Sequence, residues 1–331
     1  MKEKGTRRSG SPAVREGSGR SRRGDEGAGA SVSPSSRAES QRSVVIVGAG
    51  RLGTALARAL DACGYEVRAL VCRTAVSARR AAARAELKTL ALGAGQLDGL
   101  PAAGLLFVTT PDGHIAETAG RLAALSASRA GVALHASGAL SSAELEPLRA
   151  RGYAVGSMHP LAAVSEAEAG AESLRRAFYC VEGEPRAARA ARRVVRDLGG
   201  RGFTVEPSAK ALYHASAVMA AGHVDALFDV AADTLKRCGL PESRARKILL
   251  PLVRSAVENL SALPPARALT GSFARADVET VRRHLRALGG LEGSDALAVY
   301  KLLGEHSLKL AESAGADPAL VEAIRRRVRE A

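Results

Sequence analysis

Few folds accommodate a segment such as Ser43-Val-Val-Ile-Val47 leading straight into Gly48-Ala-Gly-Arg-Leu-Gly53 and on through Thr54 to Cys63. A continuous β-branched run suits a strand buried on both faces. Leu52, Leu56 and Leu60 then recur on one face of the helix that follows. Strand, glycine turn and helix are contiguous, the arrangement in which main-chain N–H groups at a helix N-terminus receive a diphosphate. Gly48 allows the tight turn, Gly50 lets the backbone approach the ligand, and Gly53 lets helix pack closely on strand. Ala49, Arg51 and Leu52 complete the expected dinucleotide loop.

The alternation continues downstream. Strands are expected over 66–72, 104–109 and 131–135, separated by helices over 76–86, 115–125 and 141–149. Later strands are expected at 153–158, 177–182 and 202–205, with a helix over 185–198. This spacing means βαβ units and an α/β fold, a doubly wound and mostly parallel sheet over residues 42–206. From 207 to 331 the strand-like runs vanish, and helices are expected over 209–238, 242–263, 277–287, 294–314 and 318–329, an all-α second domain. The first of these is too long and too apolar for a surface helix, so it should be buried in its own domain or against a second subunit. Residues 1–41, mostly Ser, Gly, Arg and Glu, read as a disordered tail.

Composition narrows the function. Four cysteines, Cys63, Cys72, Cys180 and Cys238, have no short paired spacing, which argues against a disulfide framework or a zinc site and for the reducing cytoplasm. No apolar run approaches bilayer length on this reading, and no signal-peptide core is expected. The net charge of +14 is spread along the chain, and with 3% aromatics and no Trp it argues against nucleic acid as a partner. A phosphate-bearing small molecule fits better.

The end of the second strand selects among dinucleotides. An NAD site presents Asp or Glu there to the ribose 2′-hydroxyl, and an NADP site presents Arg and small polar groups to the 2′-phosphate. This chain offers Cys72-Arg73-Thr74, with Arg79 and Arg80 soon after and no acid. NADP is therefore expected over NAD, and the missing acid also counts against an adenosylmethionine-dependent methyltransferase. Three further groups lie at strand C-terminal ends, where an open parallel sheet binds ligands: Thr109-Thr110-Pro111-Asp112, His135-Ala136-Ser137-Gly138 and His159-Pro160. His135 and His159 either serve substrate and protons or merely bond loop carbonyls, and Asp112 reads as a helix N-cap. In the helical part Lys210 and His214 share a helix face, with Tyr213 beside them. Reduction of a carbonyl or imine needs a proton donor, and a lysine of lowered pKa can serve. Asp225 and Asp229 form a further polar stripe expected to face solvent or a subunit contact.

Taken in order, Gly48-Ala-Gly-Arg-Leu-Gly53, His135-Ala-Ser-Gly138, Gly156-Ser-Met-His-Pro-Leu161, Lys210-Ala-Leu-Tyr-His214 and Leu269-Thr-Gly-Ser-Phe-Ala-Arg-Ala-Asp277 resemble the Rossmann-like proteins that carry a DUF2520 C-terminal domain. These belong to the wider 6-phosphogluconate dehydrogenase-like group, similar to pyrroline-5-carboxylate reductase and F420-dependent NADP oxidoreductase. The resemblance implies an NADP-binding domain, a helical domain that forms a homodimer, and an active site in the cleft between them. It also implies that Lys210 is a proton donor. This chain departs from the pattern at Ala221-Gly222, where Ser-Asn is usual, and at Ser272 and Ala276. The expected activity is NADP-dependent oxidation or reduction of a small C=O or C=N compound, with Ser137, His135 and His159 shaping the pocket. The alternative is a non-catalytic NADP(H)-binding sensor or scaffold.

Overall fold

The computed structural model describes residues 42–125 and 131–331, so the tail expected over 1–41 lies outside the described residues. The first part alternates β1 (Ser43–Val47), α1 (Arg51–Asp61), β2 (Glu66–Cys72), α2 (Ala75–Ala85), β3 (Leu90–Gly93), β4 (Leu105–Val108), α3 (Ile115–Ala123) and β5 (Val132–His135). It continues through α4 (Glu146–Arg149), β6 (Ala154–Leu161), α5 (Ala167–Leu174), β7 (Phe178–Gly183), α6 (Pro185–Asp197) and β8 (Arg201–Phe203). The eight strands form one sheet in the order β3-β2-β1-β4-β5-β6-β7-β8. All neighbours run parallel except β6 and β7, which are antiparallel.

Alternating side chains explain why both faces need cover. Val44 and Ile46 of β1 join Leu70, Phe107 and Leu134 in one core. Val45 and Val47 join Val71, Leu106 and Val108 in the other. The doubly wound, mostly parallel sheet is therefore as expected. Two elements were not foreseen. β3 is a four-residue edge strand whose Leu90 is exposed, too short to make a pattern. The helix α5 packs on α1, where Gly170 lies against Val164 and Ala55, a contact between distant parts of the chain. The helix expected over 141–149 opens instead as a 3-10 turn at Ser142–Leu145 before α4, because Pro147 has no N–H to donate back.

After Phe203 no strand occurs among the described residues. The helices are α7 (Lys210–Ala220), α8 (Gly222–Lys236), α9 (Glu242–Ala262), α10 (Pro265–Ala268), α11 (Gly271–Ala274), α12 (Val278–Gly289), α13 (Ala296–Ser313) and α14 (Pro318–Glu330). The single helix expected over 209–238 breaks at Ala221, with φ −125° and ψ −77°. Val281, Leu285, Leu308, Val321, Ile324 and Val328 make a small core among the later helices. In contrast, α7 buries only Lys210 and α8 only Ala232, so burial of this long apolar stretch within its own domain is corrected. The stretch Pro207–Lys236 is also long and apolar enough to cross a membrane by length and composition, an 18-residue window within it having a mean hydropathy of 1.2. This corrects the expectation that no such run exists.

Candidate dinucleotide cleft and active site

The glycine loop is fixed at Gly48 and Gly53 by contacts that leave no room for side chains. Gly48 has φ +99°, and a Cβ there would lie 2.5 Å from the Thr110 nitrogen. A Cβ on Gly53 would strike the Gly48 oxygen and Thr109 Oγ1, both at 2.6 Å, so this glycine sets the spacing of α1 against the loop. Gly50 faces open space, its nearest atom 3.9 Å from such a Cβ. It is also the N-cap of α1 and offers no side chain, so the first-turn N–H groups of Arg51, Leu52 and Gly53 have no helical partner.

A cleft of about 1320 Å³ opens at this turn. Its walls include Gly48, Ala49, Gly50 and Arg51, then Arg73, Arg80 and Arg84 beyond β2, with Thr109, Thr110 and Pro111 below and Ser165 to Glu168 opposite. The buried Thr110 Oγ1 has no hydrogen-bond partner, whereas Thr109 Oγ1 donates to the Gly48 carbonyl at 2.8 Å. Free N–H groups, an orphaned hydroxyl and clustered guanidiniums fit a phosphate-bearing dinucleotide. Two expected contacts are corrected. The Leu52 side chain packs against the core, leaving only its main chain for a ligand. The Thr74 hydroxyl caps α2, accepting from Ser77 N–H at 3.2 Å and donating to Ser77 Oγ at 2.9 Å.

The adjoining strand ends gather the remaining polar residues. His135 closes β5 and is wholly buried. Its Nε2 lies 2.9 Å from the Ser141 carbonyl, and the Ser137 N–H donates to its Nδ1 at 3.1 Å. Both nitrogens are spent, and burial, with the Lys210 charge second, pushes its pKa down to about 4. His135 thus holds the loop and does not face a substrate, which corrects its place among the reacting groups. The Ser137 hydroxyl donates to Asp112 Oδ2 at 2.8 Å and accepts from the N–H groups of Ala139 and Leu140. Asp112 is therefore no N-cap; it links the β4 loop to the β5 loop.

Lys210 opens α7 and is wholly buried under these loops. Its ammonium donates to Ser157 Oγ at 2.7 Å and to the Ser137 carbonyl at 3.2 Å. Burial lowers its pKa, opposed by Cys180, Glu182 and Asp112. His159, on β6, has its Nδ1 2.7 Å from the Tyr213 hydroxyl, and its pKa is pushed down to about 4, first by burial and then by the charges of His214 and Lys210. Burial raises the Tyr213 pKa, so the phenol keeps its proton. That bond occupies His159 Nδ1, while Nε2 lies beside Gly138. His214 stacks edge-on to His159 at 5.2 Å, and its buried Nδ1 has no partner. Gly138 makes this possible, since a Cβ there would lie 2.4 Å from His214 Nδ1 and 2.9 Å from His159 Nε2.

The structure thus brings Ser137, His159, Lys210 and His214 together. It adds Asp112, read from sequence only as a helix N-cap, through its bond to Ser137, and it adds Ser157 and Glu182, which sequence reasoning did not place in the site. Two signals pointed to the latter pair: Ser157 lies two residues before His159 and so on its face of β6, and Glu182 is an acid in an otherwise apolar strand.

Comparison with known families now adds to this geometry. Residues 30–160 match the model of a Rossmann-like domain, and residues 177–307 match the domain of unknown function DUF2520. Curated proteins give no match. A solved Bacteroides fragilis protein, provisionally classed as an NADP oxidoreductase, is similar at 23% identity and TM-score 0.66, covering 83% of this chain and 99% of its own. A Thermotoga maritima protein is similar at 22% identity and TM-score 0.62, over 82% and 99%. The 1-pyrroline-5-carboxylate reductase of Streptococcus pyogenes is 12% identical with TM-score 0.52, over 87% and 97%. These likenesses are of fold, one that oxidoreductases share. The chain carries a Rossmann-like domain joined to a DUF2520 domain.

Proposed function

We propose that this protein is an NADP-dependent oxidoreductase acting on a small C=O or C=N compound held between the sheet and α7. The carrying observation is the cleft at the glycine turn, where unpartnered α1 N–H groups and the orphaned Thr110 hydroxyl share one wall system with Arg73 and Arg80. NADP is favoured over NAD because β2 ends in Cys72-Arg73, with guanidiniums for a 2′-phosphate where a ribose-binding carboxylate would otherwise stand. The Bacteroides fragilis neighbour, by its description, supports the same choice.

Bound in that cleft, the cofactor would supply or accept a hydride. The chain's own residues handle orientation and the proton. Pro111 leads directly to Asp112, whose bond to Ser137 sets the second loop beside the histidines. His159 Nε2 and the unpartnered His214 Nδ1 both lie beside Gly138, where they offer ring nitrogens to a ligand. Lys210 stores the proton beneath them, and burial brings its pKa down toward the working range of an acid–base group. We also assign the exposed apolar faces of α7 to α9 to a second copy of the chain and not to a bilayer, since α7 begins on a lysine bonded into the sheet domain. The free cysteines support the cytoplasm as its compartment.

The test follows NADPH absorbance while the protein meets imines, 2-oxo acids and aldehydes. Wild-type protein is expected to consume NADPH with one class, and Lys210→Ala to lose turnover while nucleotide affinity stays within a few-fold. The complete burial of Lys210 favours a second reading, a non-catalytic NADP(H)-binding sensor. NADPH binding with a uniformly negative panel would select it.

A further inference from the structure

Lys210 does not meet water, so something inside the protein must hold its charge. The groups facing it come from four elements: Cys180 and Glu182 from β7, Asp112 from the β4 loop, His135 from β5 and His159 from β6. Both histidines are held neutral near pH 7, with pKa values near 4. Burial raises the Cys180 pKa, which favours the neutral thiol. Asp112 is occupied by the Ser137 hydroxyl. Glu182 remains, and the sheet places it with care. Ser157 and Glu182 are direct partners in the antiparallel β6–β7 ladder, so their side chains share one face. The Ser157 hydroxyl lies 3.3 Å from Glu182 Oε2 while accepting from Lys210 at 2.7 Å. The carboxylate is itself anchored from the other side by Ser142, whose N–H donates to Oε2 at 2.9 Å and whose hydroxyl donates to Oε1 at 2.6 Å.

We propose that Glu182, acting through the Ser157 hydroxyl, is the positioning residue that keeps the Lys210 ammonium charged and aimed at the Ser137 loop, a role that rests on Lys210 being the acid–base group. The hydroxyl can accept from the ammonium and donate to the carboxylate at once, so the chain Lys210–Ser157–Glu182–Ser142 is satisfied with no proton out of place. Removing the negative end leaves the burial of Lys210 unopposed by the carboxylate behind Ser157, and the lysine must release its proton at lower pH.

The test needs no substrate. The side-chain NMR signals of the eight lysines are followed with pH in the full-length protein, and Lys210 is assigned by the signal lost in Lys210→Met. Glu182→Gln is expected to lower the Lys210 midpoint by about one pH unit, a tenfold loss of proton affinity, and Glu182→Asp to restore part of it. Ser157→Ala is expected to move it the same way, and this variant decides the matter if Glu182→Gln does not fold. A midpoint unchanged in a folded Glu182→Gln or Ser157→Ala protein would overturn the proposal, whereas a merely structural role would lower the melting temperature and leave the midpoint alone. A shifted midpoint in a protein that oxidises or reduces nothing on the panel would retain the Glu182 linkage and remove the enzymatic reading.

Discussion

The sheet domain and the helices after residue 207 treat apolar side chains in opposite ways. Val44, Ile46, Leu70, Phe107 and Leu134 are fully buried, whereas Leu212, Leu252 and Leu302 are 76%, 67% and 75% exposed. Burying a leucine stabilises by roughly 1.5–3 kcal/mol, so the leucines and Ile248 left outward on α7 to α9 represent a large unrealised gain. The contrast is that the sheet domain covers most of its apolar side chains itself, while α7 to α9 leave many of theirs uncovered, the faces we assign above to a second copy of the chain.

Cutting the chain at residue 206 would test this most severely. A fragment of residues 42–206 should melt cooperatively as a monomer, and one of residues 207–331 should self-associate; a monomeric, cooperatively melting helical fragment would break the contrast. Next in size, Leu252→Glu combined with Leu260→Glu should weaken self-association more than a hundredfold in sedimentation experiments while leaving NADPH affinity unchanged. A smaller effect belongs to the sheet side. His135 takes its proton near pH 6.5 when unfolded and near 4 when folded, so the unfolded chain binds the extra proton between those values. Stability should be full above pH 6.5 and fall as pH drops toward 4, by on the order of 3 kcal/mol, as thermal melts across that range would record. Smallest, Gly138→Ala should cost about 1–3 kcal/mol, because its methyl must displace His214 or His159, and should depress kcat more than NADPH affinity. An unaltered kcat would show that the two regions are not coupled at this point.

How much of this could be read from sequence follows the same division. β1 was placed at its observed ends, Ser43 and Val47, because a parallel strand buried on both faces writes itself as a continuous apolar run. The glycine loop was equally plain, each glycine having a separate steric reason. The site was legible only in its outline. His135 and His159 could be placed at strand ends, yet the choice between substrate contact and loop support needed the Ser141 carbonyl and the Tyr213 hydroxyl. Glu182 reaches Lys210 through Ser157, residues brought together only by strand pairing. In the helical part periodicity gave the helices but not the break at Ala221, nor the share of α7 left uncovered, since an amphipathic pattern says that a face wants burial without saying by what.

One reversal in the sheet has a consequence for how such a protein can diversify. Because β7 runs against β6, the chain leaves β6 and re-enters β7 at a single end of the sheet, and residues 162–177 stay at the ligand-facing edge, with Ser165 to Glu168 on the cleft. A parallel β7 would have sent this stretch to the far end. Insertions or deletions in residues 162–166, ahead of α5, can therefore recontour the mouth of the cleft while the strand carrying the buried acid keeps its register, so the two can change at separate tempos.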